Sequence, residues 1–459
     1  MSKDVTFDVL PKVFVSKDLV FGSESKGKDC ILLGRMGERG IAQNVWFDIS
    51  TEHVVAVVGK RGSGKSYTLG VLAESISSEN SQIASITSKR AVLLFDTLGI
   101  FWLSKYSPKP DMKQEDIKKQ FLRLKEWGLS SDKPPKVEVF VPAGFESTGI
   151  PRGTKKFYLD VSEMTPSDWA FLLGVDLFRD AMGILLNVAY AKVTTEGWSN
   201  EELGREIPPN PHYNINNLTD CILHDKELCS ETIGFDIRTR RALVSKLNSF
   251  TRYPVFAETG TKMHDILRPG VLTVLLLSDV PDDIRCVISS VLFRKVLSIR
   301  RKMSLLKRRL AVGELKEEYV KEEIPHVWLM IDEAQNISPA EAATISTPTL
   351  VKLVREGRNF GISLAITTQQ PTAIDQRIMA QVDTLIIHKL SVRKDIDGVL
   401  SNSKTLPPDK IYLAGKELSY QNLVRKLPVG YALVSNTETP REFILHVRPR
   451  ISIHGGFEA

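Results

Sequence analysis

Val54-Val55-Ala56-Val57-Val58-Gly59-Lys60-Arg61-Gly62-Ser63-Gly64-Lys65-Ser66-Tyr67 is the stretch that decides the fold. Its first five residues are β-branched or small and apolar, the pattern of a strand buried on both faces. Gly59 to Ser66 match G-x-x-x-x-G-K-[ST] at every defined position, and Tyr67 to Ser77 continue with helical periodicity. Strand, glycine-rich loop and helix in that order cradle a phosphate chain, because glycines let successive N–H groups face an anion and the helix directs its positive end at it. Gly59, Arg61, Gly62, Ser63, Gly64, Lys65, Ser66 and Tyr67 are therefore the expected nucleotide-binding residues. Lys65 is expected to bridge the β- and γ-phosphates of ATP, and Ser66 to offer a hydroxyl oxygen to Mg²⁺.

A second half of the site is expected far along the chain. His326-Val327-Trp328-Leu329-Met330-Ile331 reads as an apolar strand that delivers Asp332 and Glu333 at its carboxyl end, where open α/β sheets bind ligands. Asp332 is the second expected Mg²⁺ residue, and Glu333 is placed to polarise a water for attack on the γ-phosphate. Arg355-Glu356-Gly357-Arg358 follows, then a strand ending in Thr367-Thr368-Gln369-Gln370. Gln369 is a candidate to sense the γ-phosphate or hold the water. Arg358 and Arg355 are candidates to neutralise transition-state charge, or else lie on a solvated helix face paired with Glu356. Asp96, ending the strand Ala91 to Phe95, either tunes the site or forms a turn.

Apolar runs alternate with helical stretches through much of the chain, which predicts an α/β fold with a mainly parallel, RecA-like P-loop core. Residues 51–162 and 261–430 carry that rhythm. Residues 1–50 read as a small β-rich module and 163–260 as a helical insertion, with helices over Trp169 to Lys192 and Asp236 to Phe250 and a loop over Ser199 to Asn217. Residues 431–459 form a tail. A long basic helix is expected from Asp282 to about Arg309, its apolar positions (Val291, Leu292, Val296, Leu297, Leu305, Leu306) on the sheet and its charges in water, the alternative being that its basic residues line DNA, and it is followed by a charged linker, Glu314 to Glu323.

The composition, 42% hydrophobic and 25% charged, is that of a soluble globular protein. No apolar run approaches the roughly 20 residues that span a bilayer, and the amino terminus lacks a secretory signal, so the cytoplasm is the expected compartment. Cys30, Cys221, Cys229 and Cys286 include no Cys-x-x-Cys pair, so reduced structural thiols are expected rather than a zinc site. A net charge of +6 permits nucleic-acid contact without demanding it.

Four blocks together resemble the HerA and FtsK branch of motor ATPases, HerA above all: residues 57–66, Leu93 to Gly99, Leu329 to Gln335, and Arg355 to Gly361 with the downstream Thr-Gln-Gln-Pro. The resemblance implies a homo-hexameric ring that binds nucleotide between subunits and passes double-stranded DNA through its pore. It also implies that Arg358 acts at a nucleotide, and that the carboxyl-terminal segment, with Arg448 and Arg450, reaches the neighbouring subunit. The amino-terminal module is shorter than the barrel of archaeal HerA helicases, which is similar to HerA-type ATPases that work with a separate effector, a nuclease or a sirtuin-type NADase, in defence against phage. Two functions are thus expected to compete: a DNA translocase or helicase, and an ATP-dependent scaffold that assembles a partner enzyme.

Overall fold

The computed structural model describes residues 14–15, 18–22, 28–37, 43–146, 149–232, 234–315, 324–402, 411–413, 416–437 and 441–456. Most of the charged linker expected over Glu314 to Glu323 lies outside them. One sheet organises the described residues. Its core runs, strand beside strand and all parallel, through Thr384–Ile387, Val54–Val58, Ile362–Thr368, Val327–Ile331, Ala91–Asp96, Val271–Leu276 and Lys136–Pro142. These strands are almost unbroken apolar runs because each face of the sheet is covered. On one face lies the phosphate-loop helix Lys65–Ile76; on the other lie the long helix Asp282–Ala311, the helix Ser346–Gly357 and the helical insertion.

The stretches at the two ends of the chain continue the same sheet. Tyr431–Asn436 pairs antiparallel with Thr384–Ile387, Arg441–Val447 pairs with it in turn, and Cys30–Met36 and Asn44–Asp48 extend the edge beyond. The carboxyl-terminal strands therefore separate the amino-terminal ones from the core.

Two sequence readings in the insertion need correction. The stretch Trp169 to Lys192 is two helices, Pro166–Leu173 and Ala181–Ala191, because Gly174 takes a left-handed conformation (φ 65°) that ends the first. Within the expected loop, Trp198–Asn200 pairs with Arg205–Ile207 as a hairpin whose turn is closed by the Asn200 side chain accepting the Leu203 N–H at 2.8 Å. The basic helix is as long as expected, but its buried residues stop at Arg300, and Leu305 is 57% exposed. Its basic groups are largely structural: Arg294 forks onto Asp168, Arg300 donates to the Phe360 and Ile324 carbonyls, and Arg301 pairs with Glu356.

Arg448 and Arg450 do not reach outward. Both are fully buried within this chain against Glu74 of the phosphate-loop helix, with Arg448 Nη1 2.6 Å from Glu74 Oε1 and Arg450 Nε 3.7 Å from Oε2. The Ile451 and Ser452 N–H groups also donate to that carboxylate. Such a network is expensive to break, because removing the acid strands two buried cations. Glu74→Ala is expected to cost about 3–5 kcal/mol, read as a fall in the denaturant midpoint at constant slope; an unchanged midpoint would refute it.

Candidate nucleotide site

The phosphate loop hangs from the ends of neighbouring strands. Gly59 N–H donates to the Thr368 carbonyl at 3.3 Å and Lys60 N–H to that of Lys389 at 2.8 Å, and Ser63 closes the turn by donating its hydroxyl to the Lys60 carbonyl at 2.7 Å. Gly64 sits at φ 111°, a conformation L side chains rarely adopt, and a Cβ on Gly59 would come within 2.5 Å of Ser63 Oγ. Thr68 N–H makes the first helical bond, to the Gly64 carbonyl, so the N–H groups of Lys65, Ser66 and Tyr67 point out of the helix end. The side chain of Tyr67 turns away: its hydroxyl accepts the Arg450 N–H at 2.7 Å, leaving its backbone to face the loop.

Across from the loop, the strand Val327–Ile331 delivers Asp332 and Glu333 as the sequence predicts. Asp332 Oδ1 accepts from Ser66 Oγ at 3.0 Å and from Thr367 Oγ1 at 2.7 Å, while Oδ2 is buried without a hydrogen-bond partner among the described residues. Burial, reinforced by the nearby Asp96 and Glu333 charges, pushes Asp332 up to about 7 against the Thr367 bond. A hydroxyl and a carboxylate with a spare buried oxygen form the hard oxygen set that suits Mg²⁺, so these residues fit the ion that the phosphate loop implies. Lys65 Nζ donates to the Lys60 carbonyl at 3.2 Å and lies 3.8 Å from Glu333 Oε1; burial lowers its pKa against the pull of Glu333 and Asp332.

Glu333 has the only positive φ (50°) among the described non-glycine residues. That turn, fixed by its N–H donating to Thr367 Oγ1 at 2.9 Å, aims the side chain differently from that of Asp332. Its two carboxylate oxygens are held by amides, Oε1 by Gln369 Nε2 at 2.7 Å and Oε2 by Gln335 Nε2 at 2.8 Å. Asp96 belongs to the same edge but acts as a turn former. Its oxygens accept the N–H groups of Leu98, Gly99, Ile100 and Phe101, and burial still pushes it up to about 6.

The arginines lie elsewhere. Arg358 follows the helix Ser346–Gly357 and precedes the strand Ile362–Thr368, so it stands at the amino edge of the sheet, whereas Gln369 caps the carboxyl edge. Seven residues of strand separate the two edges by roughly 20 Å. Arg358 Nη2 is bound there to Asp383 at 2.8 Å. Arg355, exposed on the helix before it, has the Asp375 carboxylate in its field. Neither arginine lies within this chain's crevice of Lys65, Asp332, Glu333 and Gln369.

Sequence reasoning missed Thr367, Gln335 and His388 as parts of the site. A polar residue in an otherwise apolar strand end was the available signal for Thr367. His388 is fully buried beneath the loop, with Nε2 2.8 Å from Thr68 Oγ1 and Nδ1 3.0 Å from the Tyr431 carbonyl. Burial drops its pKa from 6.5 to about 4. Between those values the unfolded chain binds a proton that folded His388 refuses, so the contribution of His388 to stability is fully present above pH 6.5 and falls toward pH 4. Asp332 and Asp96, raised by burial, act with the opposite sign over the same window, so the effect is read as a difference between variant and parent. His388→Gln is expected to remove about 3 kcal/mol of the acid loss due to this group, giving a Tm that rises relative to the parent's as pH falls from 6.5 to 4; a difference from the parent that stays constant over this window would exclude His388 as a source of acid loss.

The family model for the central domain of helicase HerA matches residues 33–296. The chain belongs to the HerA helicase central-domain family. The matched residues carry the phosphate loop and the strands Val54–Val58, Ala91–Asp96, Lys136–Pro142 and Val271–Leu276 of the sheet described above, and the acidic strand end at Asp332 and Glu333 lies beyond them. The HerA double-strand break repair helicase of Pyrococcus furiosus is 23% identical over 52% of this chain and 41% of that protein. That of Saccharolobus solfataricus is 25% identical over 54% and 46%. The chain thus spans less than half the length of these HerA relatives. VirB4 of Thermoanaerobacter pseudethanolicus superposes with a TM-score of 0.51 at 14% identity, over 93% of this chain and 98% of that one, a likeness of fold. Among the described residues no helix is long and apolar enough to cross a membrane.

Proposed function

We propose that this chain hydrolyses Mg-ATP in a ring of identical subunits, six by family resemblance, to move double-stranded DNA through the pore. The observation that carries the reading is a divided site. Lys65, Ser66, Asp332, Glu333 and Gln369 converge at the carboxyl edge of the sheet while Arg358 is presented at the opposite edge, half exposed. In a head-to-tail ring two different surfaces of the chain meet at each interface, and this reading takes them to be the amino edge of one subunit and the crevice of the next, where Arg358 would supply the missing positive charge. Bound Mg-ATP contributes the reactive γ-phosphorus and the metal charge that offsets its oxygens. Lys65 and the loop N–H groups hold the phosphates, Asp332 and Ser66 would hold the metal, and Glu333, oriented by Gln369, takes the proton of the attacking water.

DNA as the substrate rests on the family, whose relatives are named as DNA repair helicases, and on the net positive charge. The test is steady-state ATP turnover with and without duplex and single-stranded DNA at low and moderate salt. Stimulation that weakens with salt supports the reading, and none at either salt eliminates it.

A second reading, a scaffold that assembles a nuclease or NADase-type effector in the cytoplasm during phage defence, draws on the helical insertion. There the loop between its first two helices places Phe178 at 80% exposure. The loop is braced by the Asp176 carboxylate accepting the Phe178 and Arg179 N–H groups and by the Asp180 carboxylate accepting that of Asp176. Aromatic residues are enriched at protein interfaces, which makes Phe178 the candidate contact of this reading. Purification with and without neighbouring gene products decides: a chain that stays alone loses this reading.

A further inference from the structure

At the amino edge of the sheet, Asp383 is almost fully buried and gathers groups from the starts of two neighbouring strands and from the turn that carries Arg358. Its Oδ2 accepts the Val54 N–H at 2.6 Å and Arg358 Nη2 at 2.8 Å, and its Oδ1 accepts Thr384 Oγ1 at 2.8 Å and lies 3.3 Å from His53 Nδ1. His53 is itself fixed: its Nε2 is 2.9 Å from the Asp48 carbonyl and its N–H donates to Ser363 Oγ at 3.1 Å. The ring of His53 lies between Phe47 and Trp328. The carboxylate is therefore locked by the sheet on every side except the one it offers to Arg358.

We propose that Asp383 is the positioning residue for Arg358, a rigid socket that presents the guanidinium from the amino edge of one subunit to the nucleotide of the next. This rests on the reading of Arg358 as acting across the subunit interface. The physical reason is pre-organisation. A long arginine side chain that is half exposed samples many rotamers, and a charge-assisted bond to an immobile carboxylate selects the one in which the planar fork leaves the edge in a fixed direction. The socket is built from residues that hold the sheet together whether or not a neighbour is present, so the arginine is set before nucleotide arrives. Loss of such alignment costs about 10²-fold in rate when reacting groups shift by an ångström.

The experiment compares Asp383→Ala with Arg358→Ala, each assayed for ATP turnover alone and after mixing with Lys65→Ala subunits. Lys65→Ala subunits carry an intact Asp383–Arg358 edge but no working phosphate loop. Asp383→Ala alone is expected to lose about 10²-fold in kcat with KM for ATP little changed, and mixing is expected to restore activity as it does for Arg358→Ala. Rescue of Arg358→Ala but not of Asp383→Ala would overturn the proposal, because the defect would then lie in the variant's own fold. Failure to rescue either would overturn the interface reading beneath it, and normal turnover of Asp383→Ala would overturn the proposal outright. Should Asp383→Ala not fold, Asp383→Asn, which keeps the shape and removes the charge, enters the same mixtures with the same outcomes.

Discussion

Replacing Glu333 with glutamine is expected to leave ATP binding near the parent level while cutting turnover by about 10²–10⁴, the range for loss of a general base. The carboxylate is not a loose surface acid. Gln335 and Gln369 each hold one oxygen, Lys65 stands 3.8 Å away, and a left-handed backbone fixes where the side chain starts. Glutamine matches its shape, its oxygen can accept from Gln369, and its NH2 can donate to Gln335 once that amide turns its unpartnered Oε1 inward, so the phosphate loop and Asp332 stay in place. The negative charge is removed, and with it the ability to accept a proton. Equilibrium binding of a fluorescent ATP analogue and steady-state phosphate release read the two quantities separately. Turnover within a few fold of the parent would take Glu333 out of the proton-accepting role.

The loss of Arg358 is expected to be larger, about 10³–10⁵ in turnover, the scale of an arginine supplied to a phosphoryl-transfer site. Within one chain it is held away from the crevice, because the length of the strand Ile362–Thr368 lies between them. Arg358→Ala should therefore bind nucleotide normally and fail only in turnover. Mixed with Lys65→Ala subunits it should regain part of its activity, since each variant supplies what the other lacks. A mixture as inactive as its components would mean that no nucleotide is completed from two chains. Loss of nucleotide binding in Arg358→Ala alone would point instead to a role in the fold.

Much of the nucleotide crevice was legible before any coordinates. A phosphate loop is a local object: its glycines, Lys65 and Ser66 are consecutive, and the chemistry follows from their spacing and from the strand and helix on either side. The acidic strand end is local too, six residues of apolar or aromatic character followed by two acids. The support of these groups was less legible. Thr367 binds both Asp332 Oδ1 and the Glu333 N–H, and His388 packs under the loop, yet each stands near the end of a strand as an ordinary polar residue, Thr367 within its strand and His388 just past its own. Nothing local marks Arg448 and Arg450 as a buried pair on Glu74, which stands 374 residues before Arg448.

By itself, then, the sequence determined that this chain folds around a phosphate loop and a paired acidic strand end, because each is encoded within a few consecutive residues whose backbone and side chains act together. Only the tertiary structure decided where the arginines stand. Arg358 and Gln369 are eleven residues apart in the chain and look like parts of one cluster. The extended backbone between them carries one to each edge of the sheet, and strand pairing brings Asp383 beneath Arg358. The order in which strands pair, and the burial that follows from it, is a property of the whole chain.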